Sequence, residues 1–85
     1  MELYVICTET PNGRYVDAAD TVPEQADRKA RAIAQAYTKR YDGATYRGRS
    51  YTHPLNGGPN LSRVYRVKDA AGEWLANVEI YSVWE

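Results

Sequence analysis

The sequence predicts an α+β fold in which one amphipathic helix packs on an antiparallel sheet of four or five strands. Apolar residues recur at helical spacing in a single stretch, between residues 21 and 43. Short segments rich in β-branched and aromatic residues lie on both sides of that stretch and are separated by turn signals. A chain of 85 residues is long enough for one domain and too short for two. We therefore expect a single domain over residues 1–85, with the element order β-β-α-β-β-β.

Two strands joined by a hairpin are predicted before the helix. Glu2–Thr8 is apolar at nearly every position, which is typical of a strand whose two faces are both partly covered. Pro11–Gly13 is a turn signal, because an Asn-Gly pair tolerates the positive φ of a tight hairpin. Arg14–Ala18 then returns as the second strand.

The predicted helix begins near Thr21. Thr21 and Glu24 have the spacing of a capping box, and Pro23 in the first turn lacks an N–H that would have no helical partner there. Acidic residues near the start and basic residues near the end suit the helix dipole, so the charges of the helix have a structural explanation. The apolar stripe, with spacings of three or four residues, consists of Ala26, Ala30, Ile33, Tyr37 and Tyr41.

Three strands are predicted after the helix. Ala44–Tyr51 is the third strand, in which Gly48 indicates a bulge or a close approach of another chain segment. His53–Asn60 is predicted to be a loop, because it combines two prolines with an Asn-Gly-Gly sequence. Leu61–Asp69 and Trp74–Trp84 are the fourth and fifth strands. Short connections between successive strands favour an antiparallel sheet with the helix across one face.

The sequence carries no recognisable catalytic or metal-binding pattern. Cys7 and His53 are its only cysteine and histidine, and their separation offers no zinc-ligand spacing. Cys7 lies in an apolar strand, where we expect a small buried thiol rather than a reactive one. Asn56–Pro59 contains glycines without the spacing or the Lys-Ser/Thr pair of a phosphate-binding loop. We therefore expect a non-enzymatic protein without a cofactor; paired carboxylates for acid–base chemistry stay an open alternative.

Charge is distributed unevenly along a chain whose formal net charge is zero. Residues 1–27 and 69–85 are predominantly acidic, and residues 28–68 are predominantly basic. Arginines alternate with tyrosines on the third and fourth predicted strands, which defines a candidate interaction surface of Tyr46, Arg47, Arg49, Tyr51, Arg63, Tyr65, Arg66 and Lys68. If the first and last strands are neighbours, a candidate acidic surface would consist of Glu2, Glu9, Asp17, Asp20, Glu73 and Glu79.

Three interpretations of the basic, tyrosine-rich set stay open. Tyrosine and arginine are enriched among the residues that dominate protein interfaces. The same residue types stack on bases and contact phosphates in nucleic-acid complexes, although such modules usually carry an overall basic excess that this chain lacks. Alternating charges can also simply keep a solvated sheet face polar. An acidic surface, in contrast, would suit a basic partner protein.

Part of the chain resembles the small anti-CRISPR proteins of Pseudomonas phages and related mobile elements, and is loosely similar to a type I-E inhibitor among them. The resemblance spans about half of the chain. It consists of Gly13–Ala18 leading into an alanine-rich helix, then Asp42-Gly43, Tyr46-Arg47, a loop containing Gly and Asn, and a closing aromatic strand. The chain departs from this pattern in its longer C-terminal hairpin, residues 69–85.

This resemblance implies a non-enzymatic inhibitor that binds a multisubunit type I CRISPR effector complex of the host. Binding would block target recognition or nuclease recruitment. The expected location is the cytoplasm of the host cell, because Met1–Cys7 has neither a basic leader nor a long apolar stretch. No segment reaches the roughly 20 apolar residues of a membrane span, so we expect no membrane partner.

Overall fold

The structure, a computed structural model, describes residues 1–51 and 60–84 and confirms the predicted fold class. One helix packs against a five-stranded antiparallel sheet with the strand order β2-β1-β5-β4-β3. The predicted loop His53–Asn60 lies outside the described residues, apart from Asn60. In chain order the elements are β1 (Glu2–Thr10), β2 (Gly13–Asp20), α1 (Pro23–Arg40), β3 (Thr45–Ser50), β4 (Asn60–Lys68) and β5 (Trp74–Trp84).

The last strand of the chain lies at the centre of the sheet. β5 pairs with β1 on one side and with β4 on the other, so the first and last strands are neighbours. The predicted β1–β2 hairpin also forms, with Thr10 opposite Gly13 and a turn at Pro11 and Asn12. Because β5 joins the N-terminal hairpin to β3 and β4, the complete sheet requires pairing between residues far apart in sequence.

The hydrophobic core lies between α1 and one face of the sheet. The helix contributes only alanines to the fully buried part, Ala26, Ala30 and Ala34, while Ile33 and Tyr37 pack at its margin. Alanine side chains are small, so the helix can approach the sheet closely. The buried sheet residues that meet these alanines are Ile6, Tyr65, Val67, Ala76, Val78 and Ile80.

Two details of the predicted helix are corrected. Val22 occupies the N-cap position and no side chain caps the helix, so the predicted capping box with Thr21 does not form. The helix begins at Pro23, which puts Thr21 one residue too early for that role. The Asp20 carboxylate accepts a hydrogen bond from the N–H of Val22, the N-cap residue, at 2.9 Å and pairs with Lys29 at 3.0 Å. The Val22 hydrogen bond, followed by the Lys29 contact, lowers the pKa of Asp20.

The second correction concerns the far end of the apolar stripe. Tyr41, its last predicted member, lies beyond the helix in extended conformation and is 41% exposed. The fully buried positions follow a spacing of four residues and end at Ala34. The stripe therefore meets the sheet as far as Tyr37, which packs at the margin of the core, and not at Tyr41.

Gly48 marks a close approach rather than a bulge. It lies opposite Tyr65 in a β3–β4 register without shifts. A Cβ at this position would lie 2.8 Å from Cε1 of Tyr65 and 2.9 Å from Nη2 of Arg63. The Tyr65 ring is 2% exposed, contacts Tyr46 edge-on at 5.8 Å, and donates its hydroxyl hydrogen bond to Asp27 of α1. Burial, then the bond to Asp27, raises the pKa of Tyr65.

We expect Gly48→Ala to destabilise the protein, because the added methyl group forces the buried Tyr65 ring to move. A displaced ring in a packed core costs about 1–3 kcal/mol. Urea denaturation followed by far-UV circular dichroism measures the free energy of unfolding. The matched control is Thr45→Ala, an exposed position on the same strand, which should change stability by about 0.5 kcal/mol or less. Equal stability of Gly48→Ala and the native protein would contradict the close approach.

Candidate binding surface

The face of the sheet away from α1 is referred to as the open face. Strand side chains alternate between the two faces, and residues directly opposite on antiparallel strands share a face. The only helix among the described residues covers the other face. By the register of the five strands, the open face includes Cys7, Glu9, Arg14, Val16, Arg47, Arg49, Val64, Arg66, Asn77, Glu79 and Tyr81.

An ion pair between a buried carboxylate and a half-exposed guanidinium lies in the middle of the open face. Glu79, only 7% exposed, pairs with the guanidinium of Arg14, which also donates to the Tyr81 hydroxyl and lies 5.4 Å from the centre of the Tyr81 ring. A buried carboxylate is costly unless it is paired and hydrogen-bonded, and Arg14 meets that requirement. The Glu79 hydrogen bond in turn raises the pKa of Arg14. Glu79 and Arg14 therefore have their charge and hydrogen-bond partners within the protein.

Cys7 lies next to this pair, directly opposite Glu79 in the β1–β5 register. Its thiol is free and buried, as the sequence predicted. Burial raises the pKa of the Cys7 thiol. The thiol form is therefore favoured over the nucleophilic thiolate, which argues against a reactive cysteine at this position.

A groove of about 770 Å³ runs along β3 and β4 at one side of the open face. Four of its lining residues are cationic, Arg47, Arg49, Arg66 and Lys68, and we name it the cationic groove after them. Tyr51, Leu61, Val64 and Asn77 also line it. The groove thus combines guanidinium and ammonium groups with apolar and amide side chains.

The positive charge of the cationic groove is not compensated by the described residues. Arg47 lies directly opposite Arg66, and like charges in that arrangement repel. Glu79 is the sole carboxylate among the described lining residues, and it already forms an ion pair with Arg14. Ion pairs in residues 1–51 and 60–84 use the bases Arg14, Lys29, Arg31 and Arg63 and none of the four groove cations. An anion bound here would relieve the repulsion.

The basic, tyrosine-rich set predicted from the sequence is divided between the two faces. Arg47, Arg49, Tyr51, Arg66 and Lys68 line the cationic groove, and the Arg49 guanidinium lies 5.5 Å from the centre of the Tyr51 ring.

The other three members of the set lie on the helix side. Tyr65 is buried there and Tyr46 packs against it. Arg63 lies over the Tyr65 ring at 5.0 Å and is 3.5 Å from Asp27. Alternation along β3 was the signal in the sequence that could have separated Tyr46 from Arg47 and Arg49.

The candidate acidic residues do not join into one charged patch, although β1 and β5 are neighbours. Glu79 is paired with Arg14, and Asp20 with Lys29, as described above. Asp17 accepts a hydrogen bond from Thr8, and Glu2 accepts one from Tyr4 at 2.6 Å. Glu9 lies opposite Arg14 on β2, and Glu73 lies in the connection between β4 and β5.

Sequence reasoning missed Arg14 and Asn77 as parts of this surface. Arg14 is the one base among the six acids of residues 1–27, and this isolation was the available signal that it neutralises a specific acid. Its partner Glu79 lies 65 residues further along the chain, so the sequence could not name it. Asn77 carried no signal, because an amide on a strand suits either face.

Among the described residues, no group of three or more His, Cys, Asp or Glu side chains is placed to hold a metal ion. Nor does the described part contain a helix with the length and apolar character needed to cross a bilayer. The chemistry that the open face offers is anion recognition by arginine and lysine. No protein-family model, curated protein or solved structure matches this chain.

We expect Arg14→Ala to destabilise the protein, because it leaves the carboxylate of Glu79 buried without its partner. The pair is half exposed on its arginine side, so the expected loss is about 1–3 kcal/mol, between the values for exposed and buried pairs. Denaturant titration at neutral pH provides the free energy of unfolding. In the double variant Arg14→Ala/Glu79→Gln the unpaired charge is removed, and part of the loss should be regained. A double variant no more stable than Arg14→Ala would contradict this account.

Proposed function

We propose that this protein is a non-enzymatic binding protein that attaches to a partner protein through its open face. The observation that carries the proposal is the cationic groove, whose four positive side chains have no compensating acid among the described residues. A partner that supplies carboxylates would offset the repulsion between Arg47 and Arg66 on binding.

The composition and position of the groove support a protein partner. Arginine and tyrosine are enriched at interface centres, and here Arg47, Arg49 and Tyr51 lie beside the apolar Leu61 and Val64. Most of these residues project from strands of a sheet instead of from loops. A site built on strands loses little conformational freedom on binding, which favours affinity.

The partner we propose is a type I CRISPR effector complex of the host, reached in the host cytoplasm. The support for this partner is the resemblance to small anti-CRISPR proteins. A small domain that occupies the surface of such an effector prevents target recognition or nuclease recruitment by exclusion alone. That mode of action requires affinity and a fixed shape, and it requires no catalytic residue.

Charge reversal in the groove tests this proposal. The variant Arg47→Glu/Arg66→Glu should bind purified type I effector complexes about 100-fold more weakly than the native protein, because it replaces two attractive contacts by repulsive ones. The control Arg28→Glu/Lys39→Glu has the same change in net charge on exposed positions of α1 and should keep nearly native affinity. Co-purification and biolayer interferometry measure both. Absence of any complex with type I effectors at micromolar concentration would overturn the effector as partner, and equal binding by the two variants would exclude the groove.

A second candidate function is binding of single-stranded nucleic acid, favoured by the guanidinium groups of the same groove. Phosphates suit these groups as carboxylates do. The rings available for base stacking are fewer than the sequence indicated, because Tyr46 and Tyr65 pack on the helix side.

Fluorescence anisotropy with labelled DNA and RNA oligonucleotides at about 50 mM salt tests this second function. If four phosphates are neutralised, the logarithm of the association constant should fall with the logarithm of salt concentration with a slope of roughly −3. Binding should be lost in Arg47→Glu/Arg66→Glu and kept in Arg28→Glu/Lys39→Glu. Lack of binding at about 50 mM salt would remove nucleic acid as a ligand.

A further inference from the structure

The cationic groove borders an edge of the sheet. Within the described residues, β3 pairs with β4 on one side and with no strand on the other. The outer backbone N–H and C=O groups of an edge strand can pair with another extended chain. The six residues Thr45–Ser50 hold a regular register with β4, so this edge strand has no bulge that would interrupt pairing with a further strand.

The opposite edge of the sheet is less suited to this role. In the β1–β2 pair the register shifts, so that Ile6 lies opposite Ala18 while Cys7 lies opposite Val16, and Asp17 is the extra residue. Such a bulge increases the local twist and interrupts the ladder of backbone groups. β2 also carries the acids Asp17 and Asp20 beside one base, whereas β3 carries two arginines and no acid. The two edges therefore differ in regularity and in charge.

The side chains of β3 determine which kind of extended segment can pair with this strand. Arg47 and Arg49 occupy alternate positions on the open face, about 7 Å apart along the strand. Both are exposed and neither has an ion pair among the described residues. Pairing of β3 with the β3 of a second copy would bring four arginines together, whereas a strand with acidic residues would compensate them.

From this edge and its charges we infer that β3 receives an extended acidic segment of the partner protein as an additional strand. The inference rests on the proposed function, because it names the part of the partner that the open face recognises. Carboxylates at alternate positions of the segment lie beside Arg47 and Arg49, and backbone hydrogen bonds to β3 supply affinity that does not depend on side chains. The ligand is a polypeptide rather than a nucleic acid, because only a peptide backbone repeats the donor and acceptor spacing of the edge.

Synthetic peptides separate strand addition from simple charge attraction. One peptide alternates glutamate with valine between threonine ends, and a second has the same composition with its glutamates consecutive. The alternating peptide should bind at least about tenfold more tightly, since its carboxylates all face the same side of a strand. Hydrogen exchange should show protection of outward amides in residues 45–50 when this peptide is bound. A third peptide, N-methylated at alternate residues, loses the N–H donors along one of its two edges and should bind about tenfold more weakly than the unmodified one.

Protein variants locate the site. Arg47→Glu/Arg49→Glu should lose the alternating acidic peptide and gain the corresponding lysine peptide, a reversal that an unfolded variant would not produce. Arg28→Glu/Lys39→Glu should retain the native preference. Circular dichroism confirms that each variant is folded.

Four results would overturn the inference. These are equal binding of the alternating and consecutive peptides, absence of protection in residues 45–50, binding of oligonucleotides without binding of acidic peptides, and protection of these amides by self-association of the protein alone. Its failure is distinguishable from failure of the proposed function. Effector binding that is sensitive to groove charge, without peptide binding, rejects only strand addition; peptide binding without effector binding rejects only the effector as partner.

Discussion

The register of β5 against β1 and β4 is the constraint on which the rest of the structure depends. It places Val78 in the core under the helix and Glu79 on the open face, where Arg14 can reach it. A slip by one residue would exchange the two faces, burying the carboxylate beneath α1 and exposing the valine. The core, the central ion pair and the floor of the cationic groove are therefore consequences of one set of strand pairings.

The aromatic composition suits a sheet of which the described residues cover one face with a helix and leave the other without one. The chain has eight tyrosines and no phenylalanine. Tyr65 fills the core while its hydroxyl reaches Asp27 at the helix, and Tyr81 supports the Arg14 guanidinium on the opposite face. Burial, the leading cause in both, raises the pKa of Tyr65 and of Tyr81. A ring with a polar end can serve either environment, which a phenylalanine ring cannot.

Two groups of charges on the open face differ in kind. Glu79 and Arg14 satisfy each other, and their role is explained by the cost of a buried carboxylate. Arg47 and Arg66 face each other without an acid among the described residues, so the folded chain gains no stability from that arrangement. Charges that the fold explains are poor evidence of function. Charges whose placement carries a cost are better evidence of function. On the open face these are the arginines of β3 and the adjacent strand β4.

The sequence by itself determined the type, order and approximate limits of the elements, including the helix and the final strand Trp74–Trp84. These follow from local periodicity and turn residues, which act over a few positions. It also identified Gly48 as an exceptional position and the arginines of residues 44–68 as candidate binding residues. These are local properties that can be recognised before any tertiary contact is known.

Only the tertiary structure decided which of these residues share a surface. Tyr46 and Tyr65 lie on the helix side of the sheet. Arg47 lies opposite Arg66 on the neighbouring strand. Arg14 pairs with Glu79, although the two residues are far apart in sequence. Alternation along a strand separates its residues into two faces, but which face is buried and which residues lie opposite each other depend on strand register and order, which long-range packing fixes.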